Sequence, residues 1–319
     1  MERMQLETTQ LGTTGLEITR VGLGAWAMGG GGWELGWGPQ DDGESLEAIG
    51  RALELGVNWI DTAAGYGFGH SERIVGRALE GLDERPYVFT KCSLLAGPGG
   101  QVIHCLTRES ILREAHASLE RLGIDAIDLY QIHWPIPAPD IEEGWDALAE
   151  LKEEGLVRHI GVSNFNVAQL RRIEAIVPVE TLQPPYSLVE RAVEDELLPY
   201  ARRNDIGVIV YSPMESGLLT GQMPRERIAQ LPDDDWRKHE ERFQEPQLSR
   251  HLALVERLEA VAARHHTTPG AVAVAWTLRN PAVDGATVSF RRASQVDPIV
   301  AAARLELDAE DVATIGSEG

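Results

Sequence analysis

Only two of the 319 residues are cysteine, Cys92 and Cys105, so a disulfide scaffold is not indicated. No paired Cys/His spacing suggests a zinc site, and no resident metal is expected. Basic residues are also scarce: 29 Lys and Arg stand against 50 Asp and Glu, a formal net charge of −21. Nucleic-acid binding needs a positive surface that displaces counterions, and docking on an anionic membrane needs one too, so neither partner is expected. No stretch of 18 continuous apolar residues occurs, and the start, Met1-Glu-Arg-Met-Gln-Leu-Glu-Thr-Thr-Gln10, has no apolar leader core. The expectation is a cytoplasmic protein, monomeric or weakly oligomeric. With 43% hydrophobic residues the chain can bury a sizeable core, and its length suits one α/β barrel occupying residues 1–319 as a single domain.

What is present is a regular alternation of strand and helix signals. Met4–Leu11, a turn over 12–15 and Leu16–Thr19 read as a hairpin. Short apolar runs then read as strands at Val21–Trp26, Asn58–Ile60, Tyr87–Lys91, Ile127–Ile132, Val157–Val162, Thr181–Gln183, Val208–Tyr211 and Thr287–Phe290. Helical spacing falls between them. Leu46, Ile49 and Leu53 share a face ahead of Gly56, and Ser71 is placed as an N-cap before Ile74, Val75, Ala78 and Leu79. Thr107–Leu122, a helix opened by Asp140 with Glu143 at capping-box spacing, Val167–Ala175, Glu194–Asn204 and a helix from Ser294 continue the pattern. Eight βα units imply a parallel sheet with right-handed crossovers. No Gly-x-Gly-x-x-Gly turn follows the first strand, so a closed (β/α)₈ TIM barrel with an N-terminal hairpin fits better than an open doubly wound sheet. Residues 222–247, after the seventh strand, form a polar loop too long for a tight connection and are expected to act as a lid.

Four polar residues fall at or just past successive strand ends: Asp61, Tyr66, Lys91 and His133. Taken singly, each suits a solvated or capping role. Together they place an acid, a phenol, an amine and an imidazole at the end of the sheet where α/β folds carry their active sites. A phenol beside an ammonium is a plausible proton donor to a carbonyl oxygen, because the positive charge favours the phenolate and lowers its pKa. Carbonyl chemistry at neutral pH is the reading. The glycine cluster Gly29–Gly32 with Trp33 and Trp37 follows the first strand, and exposed tryptophans there suggest either an aromatic substrate wall or packing against the long loop at 222–247. Cys92, beside Lys91 but with no adjacent base, reads as a small buried residue.

Spaced motifs along nearly the whole chain resemble the aldo-keto reductase superfamily: Gly22-Leu-Gly-Ala-Trp26, Asn58-Trp-Ile-Asp-Thr-Ala-Ala-Gly-Tyr-Gly67, Ser71-Glu72, Thr90-Lys91, Asp128-Leu-Tyr-Gln-Ile-His133, Ile160-Gly-Val-Ser-Asn164, Gln183-Pro-Pro-Tyr186 and Tyr211-Ser-Pro213. Gly65-Tyr-Gly-Phe-Gly69 and the long loop after Gly221 are similar to the bacterial general-stress-type reductases. The resemblance implies that Tyr66 protonates the carbonyl oxygen, that Lys91 lowers its pKa and pairs with Asp61, and that His133 orients the substrate. It implies an NADP(H) cofactor whose nicotinamide amide meets Ser163, Asn164 and Gln183 and whose ring stacks on Tyr211. Ser212, Pro213, Met214, Ser216, Gly217 and Leu218 would wrap the pyrophosphate, and Arg291 and Arg292 would meet a 2′-phosphate; Trp26 and Gln295 complete the cofactor site. Where the family usually has Gly and Asn, this chain has Ser289 and Ile299, which touches the adenine end and not the chemistry. Trp33, Phe68 and Trp134 would form an apolar rim for a small carbonyl substrate. The implied activity is NADPH-dependent reduction of aldehydes or ketones to alcohols. The alternative is a redox-sensing protein that binds NADP(H) and turns over little.

Overall fold

The computed structural model describes residues 6–233 and 235–316. A hairpin comes first, β1 (Thr8–Gln10) and β2 (Glu17–Thr19), with Thr8 opposite Thr19. Met4 and Gln5 of the expected first strand lie outside the described residues. The hairpin turn approaches Gly207 so closely that a Cβ on Gly12 would lie 2.3 Å from its backbone nitrogen; with φ at +49°, this position needs glycine.

The alternation then runs β3 (Val21–Gly24), α1 (Asp42–Glu54), β4 (Trp59–Asp61), α2 (His70–Leu79) and β5 (Tyr87–Cys92). A second hairpin, β6 (Leu94–Ala96) and β7 (Val102–His104), interrupts it before α3 (Arg108–Leu122). Next come β8 (Ile127–Ile132), α4 (Ile141–Glu153), β9 (Val157–Ser163), α5 (Val167–Ile173), β10 (Thr181–Gln183), α6 (Leu197–Arg203) and β11 (Gly207–Val210). Three helices, α7 (Arg225–Ala229), α8 (Gln247–Arg264) and α9 (Pro269–Leu278), separate β11 from β12 (Gly285–Ser289), and α10 (Val296–Val300) and α11 (Ala309–Gly316) follow. Hydrogen bonding passes β3-β4-β5-β8-β9-β10-β11-β12 and returns to β3, all parallel. The expected (β/α)₈ barrel with its N-terminal hairpin is therefore the fold. Among the described residues, no helix is long and apolar enough to cross a membrane.

Alternation along the strands sorts side chains between two cores. Trp59, Phe89, Leu129 and Ile209 point into the barrel and pack with Leu11, Leu16 and Ile18, so the first hairpin plugs the bottom. Ile60, Val88, Tyr130 and Ile132 face outward and join the larger core under the helices. Burying one such side chain stabilises the fold by roughly 1.5–3 kcal/mol. With Trp59 and Phe89 closing its floor, the barrel presents the carboxyl ends of its strands to a ligand.

Several local expectations change. The α2 N-cap is Gly69, not Ser71; Ser71 is buried, where its hydroxyl donates to Ala25 O at 2.8 Å and meets Thr62 Oγ1 at 2.9 Å. The α4 start has no capping box, because Glu143 reaches across to accept the Arg108 N–H at 2.8 Å and caps α3 instead. Asn166 and Gln169 form a reciprocal capping box on α5, worth about 1 kcal/mol. The expected lid segment, 222–247, is structured: it holds α7 and 3₁₀ turns at Trp236–His239 and Glu241–Phe243, and Ile228, Leu231 and Phe243 are buried.

Candidate active site

Strand β4 ends on Asp61, β5 carries Lys91 near its end, and His133 lies one residue past β8. Parallel pairing of these three adjacent strands brings the residues together at one end of the barrel. Lys91 is fully buried and its ammonium donates to Asp61 Oδ2 at 2.6 Å, to Thr62 O at 3.0 Å and, at a long 3.5 Å, to Tyr66 Oη. Asp61 accepts a further bond from Gln183 Nε2 at 2.9 Å on its other oxygen. The Tyr66 and His133 rings meet edge to face, with centroids 5.5 Å apart. All four residues of the expected tetrad are assembled.

The electrostatics depart from expectation at Tyr66. Burial pushes its pKa well above the ordinary phenol value, and the Asp61 carboxylate and Tyr211 push the same way. Burial outweighs whatever lowering the Lys91 ammonium, 3.5 Å away and itself paired with Asp61, brings. Tyr66 therefore holds its proton at neutral pH. Burial also lowers the Lys91 pKa, opposed by Asp61. His133 is held well below the usual imidazole range by burial first and then by Lys91 and His104, so it is neutral. A neutral imidazole keeps one N–H donor, and its Nδ1 has no partner among the described residues.

The neighbouring strand ends carry the expected amide-binding residues. The Ser163 hydroxyl donates to Gln183 O at 2.8 Å. Asn164, at φ +64°, donates through Nδ2 to His133 O at 2.9 Å and accepts from Tyr211 Oη at 2.8 Å. These bonds lock the site's polar wall in one arrangement. A cavity of about 1070 Å³ opens above it. Trp26, Trp33, Tyr66, His133, Trp134, Ser163, Asn164, Gln183 and Tyr211 line it, as do Ser212, Pro213, Met214, Ser216, Gly217, Arg291 and Gln295. Four expected site residues do not: Lys91 lies beneath the floor, Phe68 stands behind Trp33 with ring centroids 5.9 Å apart, Leu218 is buried in a satellite core with Met223 and Phe243, and Arg292 is outside. Trp33 and Trp37 are buried, not exposed; Trp33 forms cavity wall, and Trp37 packs against Trp236 and Arg237.

The two arginines expected at a 2′-phosphate differ. Arg291 donates to Gln40 Oε1 at 2.6 Å, Pro39 O at 2.5 Å and Trp37 O at 3.4 Å, so its guanidinium is held by the loop after β3. Arg292 is exposed and pairs only loosely with Glu44, at 3.3 Å. Sequence reasoning missed Trp236, Arg237 and Arg242, which line the cavity from the segment after α7. Arg237 is paired with Asp235 through two nitrogens and donates to Ser216 O at 3.1 Å, and Arg242 donates to the buried Glu215 at 2.7 Å. The only sequence signal for them is a tryptophan and an arginine inside an acidic loop.

A dinucleotide suits this cavity in size and chemistry. Its volume is at the upper end for cofactor pockets. Ser212, Glu215, Ser216 and Gly217 all have positive φ; the Glu215 and Gly217 N–H groups turn back to Ser212 O and Met214 O, so an anion would be met by the other N–H groups of the turn. Of the arginines lining it, Arg237 and Arg242 are paired with Asp235 and Glu215, whereas Arg291 is bonded to neutral oxygens of Gln40, Trp37 and Pro39 and keeps positive charge at the cavity in a protein of net charge −21.

A profile of the Aldo/keto reductase family matches residues 20–317. An aldo-keto reductase of Bacillus subtilis is 39% identical over 309 residues, 96% of this chain and 91% of that protein. An NADH-specific methylglyoxal reductase of Escherichia coli is 38% identical over 314 residues, covering 94% of each. The solved structure of a glycerol dehydrogenase from Gluconobacter oxydans superposes with a TM-score of 0.87 at 36% identity, over 99% of this chain and 94% of that one. The chain therefore belongs to the aldo/keto reductase family, oxidoreductases that work with a nicotinamide cofactor on small carbonyl compounds.

Proposed function

We propose that this protein reduces the carbonyl of an aldehyde or ketone to an alcohol and prefers NADPH to NADH. The observation that carries the reading is the Tyr66 hydroxyl 3.5 Å from the Lys91 ammonium, its ring edge to face with His133, at the floor of the cavity. A bound nicotinamide supplies the hydride to the carbonyl carbon. The chain's own residues manage the oxygen. Tyr66 Oη and the His133 N–H donate to it and orient it, and they donate more strongly as negative charge develops there. Tyr66 then transfers its proton, and the phenolate left behind is stabilised by Lys91, whose place is set by Asp61 and Thr62 O. Because a pKa compares phenol with phenolate, the stabilisation Lys91 gives the phenolate is what eases the proton's departure from the buried hydroxyl.

Ser163, Asn164 and Gln183 would meet the nicotinamide amide and Tyr211 its ring, with Ser212–Gly217 at the pyrophosphate. Arg292 is the group we assign to a 2′-phosphate, since a dianion outcompetes the single exposed Glu44 for its forked donors. Trp33 and Trp134 offer apolar contact without a fixed polar partner, and such walls discriminate by only about 1–3 kcal/mol per methylene. A permissive enzyme follows. The test is steady-state oxidation of NADPH and NADH with a panel of aldehydes and ketones. Turnover across several carbonyls supports the reading; tight cofactor binding with no turnover on any would replace it with a redox sensor.

A further inference from the structure

Two residues beyond Lys91, Ser93 is fully buried and has φ +81°, a left-handed backbone that a serine does not adopt by preference. Such a conformation persists only where its surroundings hold it. Here the surroundings are specific. The Ser93 N–H donates to Glu114 Oε2 at 2.9 Å, its carbonyl accepts the Cys105 N–H at 3.1 Å, and its Oγ accepts the Trp134 N–H at 3.4 Å. The preceding carbonyl, Cys92 O, accepts the His133 N–H at 3.2 Å. The Cys92–Ser93 turn thus ties the end of β5, which carries Lys91, to the turn that carries His133 and Trp134.

Besides Ser93's own hydroxyl, Glu114 is the side chain among these ties. It comes from the middle of α3, is 6% exposed, and does not line the cavity. Its second oxygen meets Ser110 Oγ at 3.0 Å, which fixes the carboxyl's direction. A carboxyl buried at a helix–barrel interface is costly unless its bonds compensate, and one of them goes to the strained residue between two members of the tetrad. We propose that Glu114 is a positioning residue: it pins Ser93 in the left-handed turn and thereby sets the placement of His133 relative to Lys91. The inference rests on the proposed roles of Lys91 and His133.

The effect reaches the chemistry through backbone placement and not through charge. Glu114→Gln, which keeps an acceptor oxygen, should stay within about threefold of wild type, whereas Glu114→Leu should lose roughly 10–100-fold in kcat, as small misplacements of reacting groups do, with cofactor Kd nearly unchanged. Glycine adopts φ +81° freely, so adding Ser93→Gly to Glu114→Leu should restore kcat to that of Ser93→Gly alone, the reference that accounts for the lost Oγ bond to Trp134. Glu114→Asp, which withdraws the carboxyl by one methylene, gives the same rescue test should the leucine variant not fold. A lost kcat that Ser93→Gly leaves unrestored, or wild-type kcat in both Glu114→Leu and Glu114→Asp, overturns the proposal. If wild-type protein turns over no carbonyl, the functional reading fails instead. The crystal structure of a Glu114 variant then decides this inference: Ser93 out of the left-handed region with the His133 N–H···Cys92 O bond lost supports it, and an unmoved Ser93 overturns it.

Discussion

Trp236 lies nearly parallel to Trp26, ring centroids 5.3 Å apart at 20°, and so joins the segment after α7 to the loop after β3 across the mouth of the cavity. Trp37 and Asp235 form an antiparallel bridge beside it, and the Arg237 guanidinium sits 4.6 Å above the Trp37 ring. Two loops separated by most of the chain thus form one latch. An aromatic pair of this kind contributes about 0.5–1.5 kcal/mol beyond its buried area, so Trp236→Ala should weaken cofactor binding by roughly 2–12-fold, mainly through faster release. Fluorescence titration and stopped-flow displacement read this directly; an unchanged off-rate would mean the latch does not hold the cofactor.

Removing the Tyr66 hydroxyl removes the proton donor and leaves the ring in place. Tyr66→Phe should lower kcat by roughly 10²–10⁴ while cofactor Kd stays within a few-fold, since general acids contribute on that scale. Retention of wild-type kcat would take Tyr66 out of the mechanism.

The Lys91–Asp61 pair is buried on both sides, with side-chain exposures of 0% and 4%. Breaking such a pair strands a charge and costs about 3–5 kcal/mol, whereas replacing both partners costs less. Lys91→Met and Asp61→Asn should each lower the urea midpoint and kcat, and the double variant should be more stable than the sum of the two effects predicts. Strict additivity in the melts would argue that the two groups do not depend on one another.

Arg292→Ala should raise Kd for NADPH by at least several-fold and leave NADH nearly unchanged, because the forked donors that pair with phosphate are lost. Arg291→Ala should weaken both cofactors alike, since that guanidinium holds the loop carbonyls of Trp37 and Pro39. Equal wild-type affinity for the two cofactors would show that neither arginine meets a 2′-phosphate.

Beneath the barrel, Glu180 is expected to contribute stability that depends on pH. Burial alone would raise its pKa, but hydrogen bonds from His159, Lys152 and the Ile160 N–H outweigh that and hold it at about 2, against an ordinary 4.5. A depressed carboxylate stabilises the fold above its unfolded pKa and loses that contribution as pH falls through the folded value. Glu180→Gln should therefore be less stable than wild type at neutral pH, with the gap closing between about pH 4.5 and about pH 2. Denaturant melts across that range test it; a gap independent of pH would assign the loss to packing.

The strand positions were legible because their signals are local. Apolar runs such as Ile127–Ile132 need no distant partner to be recognised, and the order of Asp61, Tyr66, Lys91 and His133 along successive strand ends already implies a shared site once the strands are parallel. The sequence by itself therefore determined the barrel and the makeup of the tetrad. It did not determine β6 and β7, which pair with each other outside the barrel and so fall outside the strand–helix alternation that located the others. Nor could it show that Glu143 caps α3, that Arg291 is held by residues about 250 positions earlier, or that Trp236 covers Trp26. Each of these is a pairing across the closed barrel, fixed by where chain segments meet and not by their own composition. The protonated state of Tyr66 belongs with them. Sequence shows a lysine and an acid nearby, but only the tertiary structure sets their distances and the depth at which burial, with Asp61 acting the same way, outweighs the lysine.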